Sequence, residues 1–165
     1  MSDAPHTFRV RTATPADTAG VDALLARSYP AQLKADYPPS VMVTALPIIS
    51  RARPELLACG TYYVAEAPSG GIVGAGGWTP RPGERGAADI RHVVTDHRHL
   101  RQGIGRAIFQ TIFSESAAAG IAAFDCLSTL TAVPFYSAMG FLELGPVTIR
   151  LRQGIDFPAV RMRRS

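Results

Sequence analysis

The segment Arg101-Gln102-Gly103-Ile104-Gly105-Arg106 joins two periodicities, and that junction narrows the folds open to this chain more than any other feature. Behind it, Ala88-Asp89-Ile90-Arg91-His92-Val93-Val94-Thr95 has the composition of a strand. Ahead of it, apolar residues recur at Ile104, Ala107, Ile108 and Ile112. After Ser116 the stripe resumes at Ala119, and Gly120 stops it, the spacing of an amphipathic helix. Glycines between a strand and a helix let the backbone approach a ligand closely. The first-turn amides have no partner inside the helix and point outward with the positive end of its dipole, so the junction suits an anion. Arg101 and Arg106 add fixed charge. A tight turn entering an ordinary helix would account for the same two glycines.

The flanking sequence predicts an α+β order without repeats or linkers. Phe8 to Arg11 reads as a first strand, and Thr14-Pro15-Ala16-Asp17 as a capped helix start whose buried stripe is Val21, Leu24 and Leu25. From Ser28 to Pro54 five prolines leave room only for a short helix or two, near Ile48 and over Glu55 to Ala58. Thr61 to Glu66 and Gly71 to Thr79 form a hairpin about Ala67-Pro68-Ser69-Gly70. Ala122 to Leu127 is the strand after the glycine helix. Val147 to Leu151 and Ala159 to Met162 would pair across Gln153-Gly154.

A length of 165 residues fits one domain, residues 1–165, and a hydrophobic content of 47% places it among globular rather than disordered chains. No run approaches the roughly 20 apolar residues of a membrane helix, and the amino terminus has no leader pattern, so a cytoplasmic protein is expected. Cys59 and Cys126 are too sparse for a disulfide framework or a metal centre. Lys34 is the only lysine among 17 basic residues, and the net charge is +4. Arginine's rigid fork suits phosphates. Arg161, Arg163 and Arg164 read as a solvated edge rather than a nucleic-acid site.

Further along stands Leu130-Thr131-Ala132-Val133-Pro134-Phe135-Tyr136-Ser137-Ala138-Met139-Gly140-Phe141. With the glycine loop, this stretch resembles the GNAT superfamily of N-acetyltransferases, whose loop reads R/Q-x-x-G-x-G/A and whose later signature reads L-x-A-x-x-F-Y-x-x-x-G-F. The second signature is complete. The first departs at Leu100, where Arg or Gln is usual, and at His97, where Pro is common. The likeness is best over about residues 60 to 142.

The resemblance implies a twisted, mixed, mainly antiparallel sheet flanked by helices, and acetyl-CoA as the acetyl donor. Arg101, Gln102, Gly103, Ile104, Gly105 and Arg106 would cradle its pyrophosphate. Val93, Val94 and Thr95 would lend backbone groups to the pantetheine and thioester, although apolar residues there suit a plain buried strand equally. Tyr136 would stand near the CoA sulfur; its bland alternative is a core aromatic. A free thiol with pKa about 8.5 against about 10 for tyrosine makes full proton transfer uphill by ~2 kcal/mol, so a hydrogen bond could suffice. For the base the candidates are Asp89, Glu66, His92 or a water chain. Period-2 alternation puts Asp89 with Arg91 and Val93, where Arg91 could pair with it, and His92 on the other face with Ile90 and Val94. Tyr29, Tyr37, Trp78 and Arg81 have the most potential to recognise an acceptor. No acidic cluster favours a polyamine, and no metal is expected. The implied function is acetyl transfer to a primary amine of a small molecule or peptide by direct attack in a ternary complex, with a homodimer allowed. The alternative is a non-catalytic acyl-CoA-binding module.

Overall fold

The computed structural model describes residues 8–165. Its elements are β1 (Arg9–Thr12), α1 (Thr18–Leu33), α2 (Pro39–Ile49), α3 (Pro54–Leu57), β2 (Tyr62–Glu66), β3 (Ile72–Pro80), β4 (Ala87–Thr95), α4 (Ile104–Ala118), β5 (Ala123–Thr129), α5 (Val133–Ala138), β6 (Leu142–Arg150) and β7 (Asp156–Arg164). The strands form one sheet in the order β1-β2-β3-β4-β5-β7-β6, antiparallel except for β4 against β5. This is the mixed, mainly antiparallel α+β architecture expected.

Prolines break the region before β2 less than predicted. Pro39 and Pro54 open α2 and α3, where the missing N–H costs nothing. Pro30 and Pro47 fall in the last turns of α1 and α2 and remove one hydrogen bond each. The helix near Ile48 therefore runs to 11 residues where a short piece was expected, while α3 is the short helix expected over Glu55 to Ala58. The last two strands also outgrow their prediction, because Gly145 (φ 145°) carries β6 through a register shift that interrupts its pattern.

Both faces of the sheet are covered, and β2 shows the division most clearly. Tyr62 and Val64 pack with Val21, Leu24 and Leu25 of α1, whereas Tyr63 and Ala65 pack with Ile104, Ile108, Phe109 and Ile112 of α4. The helix α4 lies close against β3: a Cβ at Gly74 would stand 2.5 Å from Ile104 Cγ2.

Two irregularities of β4 position the site. Ala75 opposes Val94 and Gly77 opposes Arg91, so two steps along β3 match three along β4, with His92 at φ 47°. This bulge reverses the alternation. Ile90 stays in the core under α4, while Val94 lies in the core under α1. The predicted grouping of His92 with both Ile90 and Val94 is therefore corrected. The second irregularity is a divergence. Parallel pairing with β5 ends at Asp89 and Asp125, yet β4 runs on to Thr95 and β5 to Thr129, leaving a gap between them.

The arginines of β7 are not a solvated edge, because β7 is an interior strand. Arg161 and Arg163 both bind the buried carboxylate of Asp125, Arg163 also binds Glu84, and the Arg164 guanidinium lies 3.8 Å above the Phe113 ring.

Candidate active site

The exit from β4 is pinned before the glycine loop begins. Asp96 is fully buried and accepts hydrogen bonds from the Arg98 amide (2.9 Å), the Arg98 side chain (2.9 Å) and Arg27 of α1 (3.0 Å). Burial alone would raise its pKa, but the bonds from Arg98 and Arg27 outweigh it and hold the carboxyl well below the ordinary range. The chain then turns through Arg101 (φ 65°) and Gly103 (φ 80°), both left-handed, into α4. Ala107 is the first residue whose amide finds a helical acceptor, the Gly103 carbonyl at 2.9 Å. The amides of Ile104, Gly105 and Arg106 thus open the helix without acceptors of its own, as an anion site needs.

The loop residues divide by exposure. Arg101, Gln102 and Arg106 are exposed, and neither arginine is ion-paired among the described residues. The Ile104 side chain belongs to the core, so only its backbone is available to a ligand. Gly105 is buried, and a Cβ there would lie 2.9 Å from Phe135 Cε2 and Cζ. Its glycine answers to helix packing as well as to any ligand. Leu100, in the position of the missing polar clamp, is 52% exposed.

A cleft of about 1300 Å³ occupies the gap between β4 and β5 and is walled by the end of α1, the α2–α3 connection, α5 and the β6–β7 turn. Tyr136 lines it. The ring stands edge-on to Phe109 and Phe141, with centroids 5.8 and 5.4 Å away, and its hydroxyl has no partner among the described residues. Burial, with Cys126, Tyr29 and Tyr62 close by, pushes its pKa well above 10.

His92 also lines the cleft, its ring 6.1 Å from that of Tyr29. Nε2 stands 3.0 Å from the Ile49 carbonyl, which only accepts, so Nε2 carries the hydrogen. The Nδ1 lone pair is then free, and that atom is buried without a partner. Burial lowers the imidazole pKa, leaving it neutral at pH 7. Asp89 is held by Arg81 at 2.8 Å, and Arg91 instead donates to Thr79 (3.0 Å), which corrects the predicted Asp89–Arg91 pair. Glu66 binds Arg11 at 2.7 Å and is not in the cleft wall. Among the candidate bases, His92 is the one that lines the cleft with a ring nitrogen left unpartnered among the described residues.

The backbone donors expected on β4 are unequal. Val93 lines the cleft, the Val94 side chain is buried under α1, and the Thr95 carbonyl already accepts from Gln32 Nε2 at 2.6 Å. Tyr29 and Arg81 do face the cleft, whereas Tyr37 and Trp78 are structural. Tyr37 stacks on Phe157 at 4.7 Å, donates to the Pro158 carbonyl and accepts from the Leu130 amide; Trp78 is buried and donates to Tyr63. Sequence reasoning missed Arg51, Arg53, Arg150 and Arg152, which line the cleft from two distant segments. Their only signal was the paired R-x-R spacing beside the two loops. Among the described residues no group of three metal-ligating side chains occurs, and no helix is long and apolar enough to cross a membrane.

A family model described as an acetyltransferase (GNAT) domain matches residues 58–143, and no curated protein matches the chain significantly. Among solved structures, a GCN5-related N-acetyltransferase from Rhodopseudomonas palustris, also described as a class-II aminotransferase, aligns over 100% of this chain and 98% of its own. The identity is 17% and the TM-score 0.78. The PaiA N-acetyltransferase from Thermoplasma acidophilum, solved in complex with coenzyme A, aligns over 100% and 99%, with 12% identity and a TM-score of 0.71. A GCN5-related N-acetyltransferase from Kribbella flavida aligns over 98% and 99%, with 20% identity and a TM-score of 0.65. At these identities the likeness speaks for the fold.

Proposed function

This chain belongs to the GNAT acetyltransferase family, and on that premise we propose that it transfers an acetyl group from acetyl-CoA to a primary amine by direct attack in a ternary complex. One observation carries the proposal: the end of β4, where it parts from β5, lies beside the head of α4, and the gap is lined by both Tyr136 and His92, whose buried Nδ1 is unpartnered. The residues fit the donor. The amides of Ile104, Gly105 and Arg106 would receive the pyrophosphate, Arg101 and Arg106 would supply charge, and Val93 would flank the pantetheine arm. Bound there, acetyl-CoA supplies a thioester whose C–S bond breaks as the amine's N–C bond forms.

The chain's own groups would then manage the protons. Nδ1 of His92 would accept a proton from the attacking nitrogen, directly or through a water, because it is the unpartnered basic atom of a residue in the cleft wall. Asp89 serves Arg81 instead. Tyr136 donates a hydrogen bond to the departing sulfur. With its pKa raised, full proton transfer is further uphill than the ~2 kcal/mol between unperturbed groups, so it acts as donor and keeps its proton. A ping-pong route lacks a nucleophile: burial pushes the Cys126 thiol up to about 12, and Cys59 lies outside the cleft.

The test couples calorimetric binding of acetyl-CoA to thiol release over a panel of amines and peptides. Acceptor-dependent release of CoA is expected. Binding without any such release would favour a non-catalytic acyl-CoA module, and absence of binding would remove the donor assignment.

A further inference from the structure

The charge in the cleft wall is unbalanced. Seven arginines line it against three carboxylates, Glu55, Asp89 and Asp125. Those carboxylates are already engaged: Glu55 by Arg53 (2.8 Å), Asp89 by Arg81 (2.8 Å), and Asp125 by Arg161 (3.0 Å) and Arg163. Arg150 leans on Asp156 at 3.6 Å. Three guanidiniums remain without an ion pair among the described residues: Arg51 from the α2–α3 connection, Arg91 from β4, and Arg152 from the β6–β7 turn. They reach one cleft from three directions, and Arg91 is the neighbour of His92 in the chain. Arg101 and Arg106, beside the α4 amides, are not part of this wall.

We infer that the acceptor is an amine that also carries an anionic group, a carboxylate or a phosphate, held by Arg51, Arg91 and Arg152 while its nitrogen faces Nδ1 of His92. This rests on the reading of the cleft as the acceptor end of acetyl transfer. The physical argument is selection by sign. A wall with uncompensated positive charge repels a polycation and attracts an anion, and guanidinium forks bind carboxylate and phosphate oxygens in pairs. The same field disfavours protonation of the incoming amine, so it aids the step that needs a free lone pair.

The experiment uses the full chain saturated with acetyl-CoA and matched acceptors: glutamate against its α,γ-diamide, glycine against glycinamide, O-phosphoethanolamine against ethanolamine, and spermidine. The anionic member of at least one pair should exceed its neutral partner at least about tenfold in kcat/KM, and which pair responds separates carboxylate from phosphate. Arg51→Gln, Arg91→Gln and Arg152→Gln should each raise KM for that acceptor severalfold to about tenfold, with acetyl-CoA affinity unchanged. Glutarate and inorganic phosphate are also titrated into the protein with and without CoA, and one of them should bind wild type and fail to bind the triple variant. Preference for the neutral partners or spermidine would overturn the inference. So would an absence of binding by both anions when no amine turns over. Failure to bind acetyl-CoA would count against the donor reading instead, and the titration without CoA would still decide for or against the arginine cluster.

Discussion

Gly105→Ala separates two reasons for a glycine at the head of α4. The added Cβ would stand 2.9 Å from Phe135 Cε2 and Cζ and 3.4 Å from Thr95 Cγ2. Ordinary carbon contacts lie at about 3.5–4.0 Å, so the Phe135 ring must retreat by roughly 0.6–1 Å. Behind it stands the fully buried ring of Phe109, edge-on with centroids 5.5 Å apart, which leaves the retreat little room. Overpacking of this kind costs about 1–3 kcal/mol, and alanine's better helix propensity returns at most about 1 kcal/mol. The net loss should be about 0–2 kcal/mol, a fall in Tm of up to about 4–8 °C for a chain of this size. Thermal and urea unfolding would measure it. Phe135→Leu in the same background should recover most of the difference between Gly105→Ala and wild type, and acetyl-CoA affinity should follow the packing. A Gly105→Ala protein of undiminished Tm that binds acetyl-CoA weakly, with no relief from Phe135→Leu, would refute the packing argument and make the glycine a clearance for the phosphates alone.

Three further outcomes follow from the site. Tyr136→Phe should leave acetyl-CoA affinity intact and lower kcat about tenfold, the value of one hydrogen bond to a developing charge; a deficit that vanishes with a more acidic thiol would make the hydroxyl a proton donor. His92→Gln should lower kcat/KM by about 10²–10⁴ and remove the acidic limb that His92 sets below about pH 6.5, whereas an unchanged pH–rate profile would exclude it as the base. Because its folded pKa is depressed, the unfolded chain takes up the proton first, so wild-type stability should fall as pH drops below about 6.5 and His92→Gln should lack that loss, as denaturation across pH would report. Asp96→Asn should cost about 3 kcal/mol by stripping Arg27 and Arg98 of a buried partner, measured by urea unfolding; the wild-type contribution is present above about pH 4 and is lost as pH falls through the depressed folded pKa.

Local pattern made much of this molecule legible. The amphipathic stripe from Ile104 gave α4, and the two segments about the turn Ala67-Pro68-Ser69-Gly70 gave β2 and β3. Prolines were over-read because a proline at the first position or last turn of a helix costs far less than one in its middle. The face that His92 takes was unreadable for a different reason. Alternation assumes an unbroken ladder, and one residue at positive φ invalidates it from His92 onward. The arginines of the cleft wall were hidden because Arg51, Arg91 and Arg152 are far apart in the chain and line one cleft only once the sheet is assembled. Asp89 was expected to pair with Arg91 on its own strand, and its partner is Arg81 from the preceding loop.

The bulge at His92 is also a place where this strand can change its length without changing its register. Deleting that one residue would leave a smooth nine-to-eight shortening of β4 that still reads as a good strand and could still pair with β3. Because three steps on β4 match two on β3 there, the shortened strand would pair in plain alternation, with Val94 still opposite Ala75 under α1 and the glycine loop entered from the same place. A chain altered in this way could keep its sheet while the cleft wall loses the His92 side chain, whereas a one-residue deletion elsewhere in the strand would have to consume the bulge or slip the register.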